Sequence, residues 1–154
     1  EHLAIMRKSW GLTQKILNGQ KKIESRWYSV KCKPWDCIKK GEIVYFKNSG
    51  EPVKIKTKIG KVTQFADLTP KKIREILDEY GGDIGLEKEK IPEFFKKFKN
   101  KKYCVFIFLK NPVEIKPFDI NKKGFGAMSA WITTDSILKL RSIGNKMLST
   151  TVRI

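Results

Sequence analysis

Alternation between apolar and polar positions organises most of this chain. "HLAIM" (2–6) is a short apolar run suited to a buried strand. Residues 9–19, "SWGLTQKILNG", switch to helical spacing: Trp10, Thr13, Ile16 and Leu17 share a face, Ser9 can cap the start and Gly19 can end it. "KKIESRW" (21–27) reads as a strand, and a loop follows through 28–41 with Pro34 and a closing Gly41. "EIVYFKN" (42–48) is a strong strand, ended by "SGEP". In 53–65, "VKIKTKIGKVTQF", Val53, Ile55, Thr57 and Ile59 fall on one side and Lys54, Lys56 and Lys58 on the other. That predicts a half-buried strand whose lysine row guards a sheet edge against further pairing, or meets phosphates.

The clearest helix is "TPKKIREILDEYGG" (69–82). Thr69 caps it, Pro70 suits its first position, Ile73, Ile76, Leu77 and Tyr80 form the stripe, and Gly81 ends it. A second helix is expected over 91–102, with Phe94, Phe95 and Phe98 turned to the core, although aromatics among lysines can also stack bases. "YCVFIFL" (103–109) predicts a central strand and "VEIKPFDI" (113–120) a separate one beside it. The glycine-rich 124–135 becomes strand-like around Trp131 to Thr133. Then "SILKLRSIG" leads into a tail with no acidic residue after Asp135. No repeat or composition break divides the chain. The expectation is a single α+β domain over 1–154: five to seven mostly antiparallel strands curled into a small barrel, about three flanking helices, and a basic C-terminal extension from residue 136.

Charge changes the picture most. Twenty-eight lysines and five arginines stand against 16 acidic residues, a net charge of +17. So strong a positive field favours a polyanion partner through counterion release and steering. The predominance of lysine over arginine weakens that inference, since lysine also serves as a plain surface residue. No apolar run approaches the length of a membrane span, and the expected location is the cytoplasm. The three cysteines make no disulfide framework, and Cys32 and Cys37 find no second Cys/His pair, His2 being the sole histidine. No metal or other cofactor is expected, and a His-based triad is excluded beyond what His2 could supply.

The densest chemistry lies in "GQKKIESRW" (19–27). Two-residue alternation places Glu24 and Arg26 on one face with Lys22, and Lys21 and Ser25 on the other. The bland reading is an exposed ion pair worth less than about 1 kcal/mol. The functional reading is a polar pocket: a carboxylate accepts from a base's amino group, Lys or Arg holds a phosphate, and a Trp ring stacks. Residue chemistry alone leaves the two open.

A Trp-bearing helix followed by G-x-K-x-x-E-x-R-W, here Trp10, Gly19, Lys21, Glu24, Arg26 and Trp27, resembles the ASCH domain of the PUA-like superfamily. "GEIVYFKNSGEPV" looks like that family's barrel strand and turn, "YCVFIFL" like its late central strand, and "GFGAMSAW" is similar to a segment of archaeal members. The likeness spans roughly residues 3–134. It implies a barrel of five or six strands with a cleft where the helix meets the Lys–Glu–Arg strand. Members of the superfamily include RNA-binding PUA modules, the modified-base readers of the YTH and SRA type, and a few small hydrolases.

The resemblance therefore implies a nucleic-acid-binding module, for RNA in preference to DNA, with Lys21, Lys22, Glu24, Arg26 and Trp27 at the cleft and Trp10 supporting or stacking. Lys47, Asn48 and Ser49 are expected on its rim and Trp131 as another aromatic wall; for Trp10 and Trp131 ordinary core packing is the competing reading. A bacterial subfamily that the chain also resembles hydrolyses acetylcytidine-type amides with a Lys, a Thr nucleophile and a later Glu, and ribonuclease activity has been attributed to other members. Lys21 matches the first of these, but Glu24 stands where the nucleophile would be, so an enzyme would have Lys21 and Glu24 as its acid–base pair. A protein-interaction module, as in coactivators carrying the domain, is the third expectation.

Overall fold

The computed structural model describes residues 1–126 and 128–142. Six strands form one mixed sheet: β1 (His2–Met6), β2 (Ile23–Tyr28), β3 (Ile43–Asn48), β4 (Val53–Phe65), β5 (Tyr103–Phe118) and β6 (Trp131–Thr133). Their order is β2-β5-β4-β3-β1-β6, and every pairing is antiparallel except β1 with β3. The sheet curls into a half-barrel, carrying α1 (Leu12–Leu17), α2 (Pro70–Ile84) and α3 (Ile91–Phe98). This is the α+β architecture expected of the pattern. The basic extension is described only to residue 142, so its remainder, like Ala127 in the glycine-rich segment, lies outside the described residues.

Two apolar layers flank the sheet. Ala4, Ile16, Phe46, Ile55, Val105 and Ile107 fill the hollow of the half-barrel, which α1 covers. On the convex side Ile23, Cys104 and Phe106 meet Ile73, Ile76 and Leu77 of α2 and Phe94 of α3. The alternation along β5, with 104 and 106 outward and 105 and 107 inward, is the two-residue period of a strand buried on both faces. Along β2 the same period sends Ile23 and Trp27 to the helices and Glu24 and Arg26 into the hollow.

Several local expectations are corrected. The helix at 9–19 is split: a 3-10 turn over Lys8–Trp10 ends at Gly11, whose φ of +63° breaks the run, and α1 starts after it without a cap from Ser9. Strand β2 starts two residues late. The backbone N–H groups of Lys21 and Lys22 donate to Lys15 and Asp83 instead of to a neighbouring strand.

Thr69 does cap α2, accepting from the Lys72 N–H at 3.2 Å, but the helix runs through Gly81 and stops at Gly85 with φ +99°. Gly81 serves packing instead, since a Cβ there would lie 3.0 Å from Ile91 Cδ1. The second helix ends at Phe98, short of residue 102.

Residues 103–109 and 113–120 do not form two strands. They make a single strand, because Asn111 takes φ +51° and, with Pro112, is accommodated as a bulge opposite β4. β4 lies between β3 and β5, so its lysines guard no sheet edge.

Candidate functional site

The curled sheet leaves a seam where its two edges approach, between β2 on one side and β1 with β6 on the other. Arg26 bridges it. Its guanidinium donates to the carbonyls of Ala130 (3.3 Å) and Ile5 (3.5 Å) and to Glu24 Oε2 (3.0 Å). Beside this bridge lies a cleft of about 240 Å³. Trp10, Trp27, Phe94 and Phe98 supply aromatic walls, and Lys21, Glu24 and Arg26 the polar floor.

The floor is built from two directions. Glu24 and Arg26 come from the inward face of β2. Lys21 enters from the turn before that strand, where strand alternation does not apply, and so joins Glu24 instead of facing away from it. Its ammonium donates to the Ile23 carbonyl at 2.7 Å and the Ile84 carbonyl at 2.6 Å and lies 3.3 Å from Glu24 Oε1. Three acceptors around one nitrogen suit three N–H donors, the protonated form. Lys21 and Glu24 are 2% and 3% exposed and the Arg26 side chain 13%, so Glu24 and Arg26 do not form a solvated surface pair.

Burial alone would push the Glu24 carboxyl up. The charges of Lys21 and Arg26, and their hydrogen bonds, outweigh it and hold the group below its usual value. Burial presses Lys21 below its usual value against the pull of Glu24. With both cations charged, the floor carries one net positive charge. Glu24 Oε1 also accepts from the Ser25 N–H at 3.1 Å, whereas Oε2 meets only Arg26 among the described residues and keeps acceptor capacity.

The walls are set by packing. Trp27 stacks flat on Phe98 at 4.9 Å and 6°, with its indole N–H tied to Ser25 Oγ at 2.9 Å. Trp10 is half-buried and meets Phe94 edge-on at 5.3 Å. Trp131 is 6% exposed and belongs to the core; its ring lies 5.3 Å from the Arg26 guanidinium and supports it from behind. Trp131 Nε1 points to His2 Nδ1 at 3.4 Å, which makes Nδ1 the acceptor and leaves His2 Nε2–H to donate to Glu42 at 3.0 Å. Burial lowers the His2 pKa and favours this neutral form.

Other anticipated residues lie elsewhere. Lys22 is exposed, its backbone tied to Asp83 and Leu109. Asn48 is buried between Thr13 (3.2 Å) and Glu51 (2.8 Å). Lys47 is half-buried and Ser49 exposed; none of these three lines the cleft. Conversely, Tyr28, Phe94, Phe98 and Arg7 line it without having been singled out as site residues. The spaced phenylalanines among lysines were a usable signal for two of them; nothing in the local pattern marks Arg7. No group of three or more candidate metal ligands occurs among the described residues.

By sequence, no protein-family model and no curated protein matches the chain. By structure it is similar to an ASCH protein from Zymomonas mobilis, with a TM-score of 0.61 at 12% identity, over 97% of this chain and 93% of that one. Two mutant forms of the same protein superpose with TM-scores of 0.61 and 0.63, also at 12% identity, over 97% of this chain and 96% and 94% of theirs. At that identity the likeness establishes the fold: the chain has the architecture of an ASCH domain.

Proposed function

We propose, from the premise of an ASCH-domain fold, that the protein binds single-stranded nucleic acid, RNA in preference to DNA, and reads one unstacked base in the seam cleft. The observation that carries this reading is the buried Lys21–Glu24–Arg26 floor beneath four aromatic walls. At about 240 Å³ the cleft is smaller than the ~300–1,000 Å³ typical of drug-sized ligand sites, and its size suits a single base or nucleoside. A duplex cannot enter it, whereas a splayed base of a single strand can stack on Trp or Phe and present its edge to polar groups. Glu24 Oε2 accepts from an amino or imino N–H, Arg26 donates to a neighbouring carbonyl or ring nitrogen, and the net charge of +17 draws the phosphate backbone.

Fluorescence anisotropy with single- and double-stranded RNA and DNA oligomers across a salt series tests it. The expected result is a steep salt slope and a preference for single-stranded RNA that Glu24→Gln and Arg26→Ala erase, both variants being checked for native circular dichroism. A steep slope with no preference and no effect of either variant would reduce the protein to a non-specific polycation.

A second reading, a hydrolase acting on an acylated-cytidine-type nucleoside or on RNA, rests on the 3.3 Å approach of Lys21 to Glu24 inside the cleft. Glu24, held ionised, would take a proton from water as general base. Lys21, with its three N–H groups engaged, would act through its charge and not as a nucleophile. Turnover of N4-acetylcytidine that disappears in folded Glu24→Gln would favour this alternative.

A further inference from the structure

The seam cleft adjoins a second depression of nearly equal size, about 230 Å³, and the two share Trp10, Leu12, Leu86 and Phe94 as a common wall. The second one is polar in a different way. Its lysines are matched by acids: Lys15 lies 3.8 Å from Glu87, and Lys90 lies 3.7 Å from Glu93. Lys15 also donates to the Gly85 carbonyl at 2.8 Å. A lining whose charges pair off suits an uncharged, hydrogen-bonding group better than a phosphate.

Unmatched charge sits at the dividing wall. The Arg7 guanidinium lies 5.2 Å and the Lys97 ammonium 4.9 Å from the centre of the Trp10 ring. Neither has a carboxylate partner among the described residues, and both side chains are exposed. Cations resting on an indole keep a preferred position while their remaining donors stay open.

We propose that the site takes two consecutive nucleotides of one strand, an inference that rests on the base-reading function above. One base enters the seam cleft over Glu24 and Arg26. Its neighbour occupies the second depression, and the phosphate joining them faces Arg7 and Lys97 across the Trp10 ridge. The equal size of the compartments, their shared aromatic wall and the placement of free cations at that wall together match a base–phosphate–base repeat.

Isothermal titration with the four ribonucleoside 5′-monophosphates and the four matching homodinucleoside monophosphates tests this. A dinucleoside monophosphate carries less negative charge than a mononucleotide, so tighter binding cannot come from charge alone. For the preferred base, the dinucleotide is expected to bind at least about fivefold more tightly, the low end of what stacking one further base contributes. Ser9→Phe, which projects a ring into the second depression, and the double variant Arg7→Ala/Lys97→Ala are both expected to shrink that gain. Equal affinity for the two ligands, with monophosphate binding still lost in Glu24→Gln, overturns the two-nucleotide site and leaves the base-reading cleft standing. No binding of any of the eight ligands overturns both.

Discussion

Lys21→Met removes a buried ammonium while keeping an unbranched apolar stem, so its effect reports the polar network and not a cavity. In the wild type the Lys21 Nζ satisfies the carbonyls of Ile23 and Ile84 and sits 3.3 Å from Glu24, at a residue 2% exposed. The variant orphans two acceptors, each costing about 1–3 kcal/mol when buried. It also leaves Glu24 with Arg26 and the Ser25 N–H as its partners, and breaking a buried ion pair from one side costs about 3–5 kcal/mol. These costs overlap, so the expected loss is about 3–5 kcal/mol in total. For a chain of this length that corresponds to a fall in Tm of about 6–20 °C. Urea unfolding followed by tryptophan fluorescence measures it.

Adding Glu24→Leu to Lys21→Met removes the stranded carboxylate, while Arg26, with its side chain 13% exposed, can turn to solvent. The double variant should therefore lose less than the sum of the single losses, by at least about 1.5 kcal/mol. A loss below about 1 kcal/mol for Lys21→Met, or additivity within about 0.5 kcal/mol, would refute the idea that these charges are mutually dependent.

Two further outcomes are expected. The folded-state pKa of Glu24 lies below its unfolded value of about 4.3, so the unfolded chain binds the proton first. Its stabilising contribution is complete above about pH 4.3 and is lost as pH falls through the lower folded value; Glu24→Gln should flatten that part of a stability-against-pH curve, and an unchanged acid limb would contradict it. Gly85→Ala should cost at least about 1–2 kcal/mol in urea unfolding, because Gly85 has φ +99° and an added Cβ would lie 3.1 Å from Leu12 and 3.2 Å from the Lys21 Cβ. A neutral effect there would mean that the junction of α2 with Lys21 tolerates movement.

Much of the fold was legible because local periods report local burial. The alternation of Val53, Ile55, Thr57 and Ile59 and the stripe of Ile73, Ile76 and Leu77 mark buried faces, and all seven are buried in the structure. The motif at 19–27 was legible as unusual, and alternation correctly set Glu24 with Arg26. The errors arose where pairing or a neighbour overruled local signals. Residues 103–109 and 113–120 read as two strands, but a long β4 pairs with the chain on both sides of Asn111-Pro112, so the interruption becomes a bulge. Gly81 looks like a helix end, but the approach of Ile91 makes it a packing position.

By itself, then, the amino-acid sequence determined most element types, the two-sided burial of residues 104–107, the basic field and the placement of Glu24 and Arg26 on one face. These follow from side-chain order along one strand or helix. Only the tertiary structure brought Lys21 to Glu24, because the turn that carries it obeys no strand period and its partner carbonyl at Ile84 lies far along the chain, at the end of α2. Only the tertiary structure, too, set Phe94, Phe98 and Arg7 around the motif and moved Lys22, Lys47, Asn48 and Ser49 away from it. Closing a curled sheet along a seam joins residues whose separation in sequence carries no signal of their meeting.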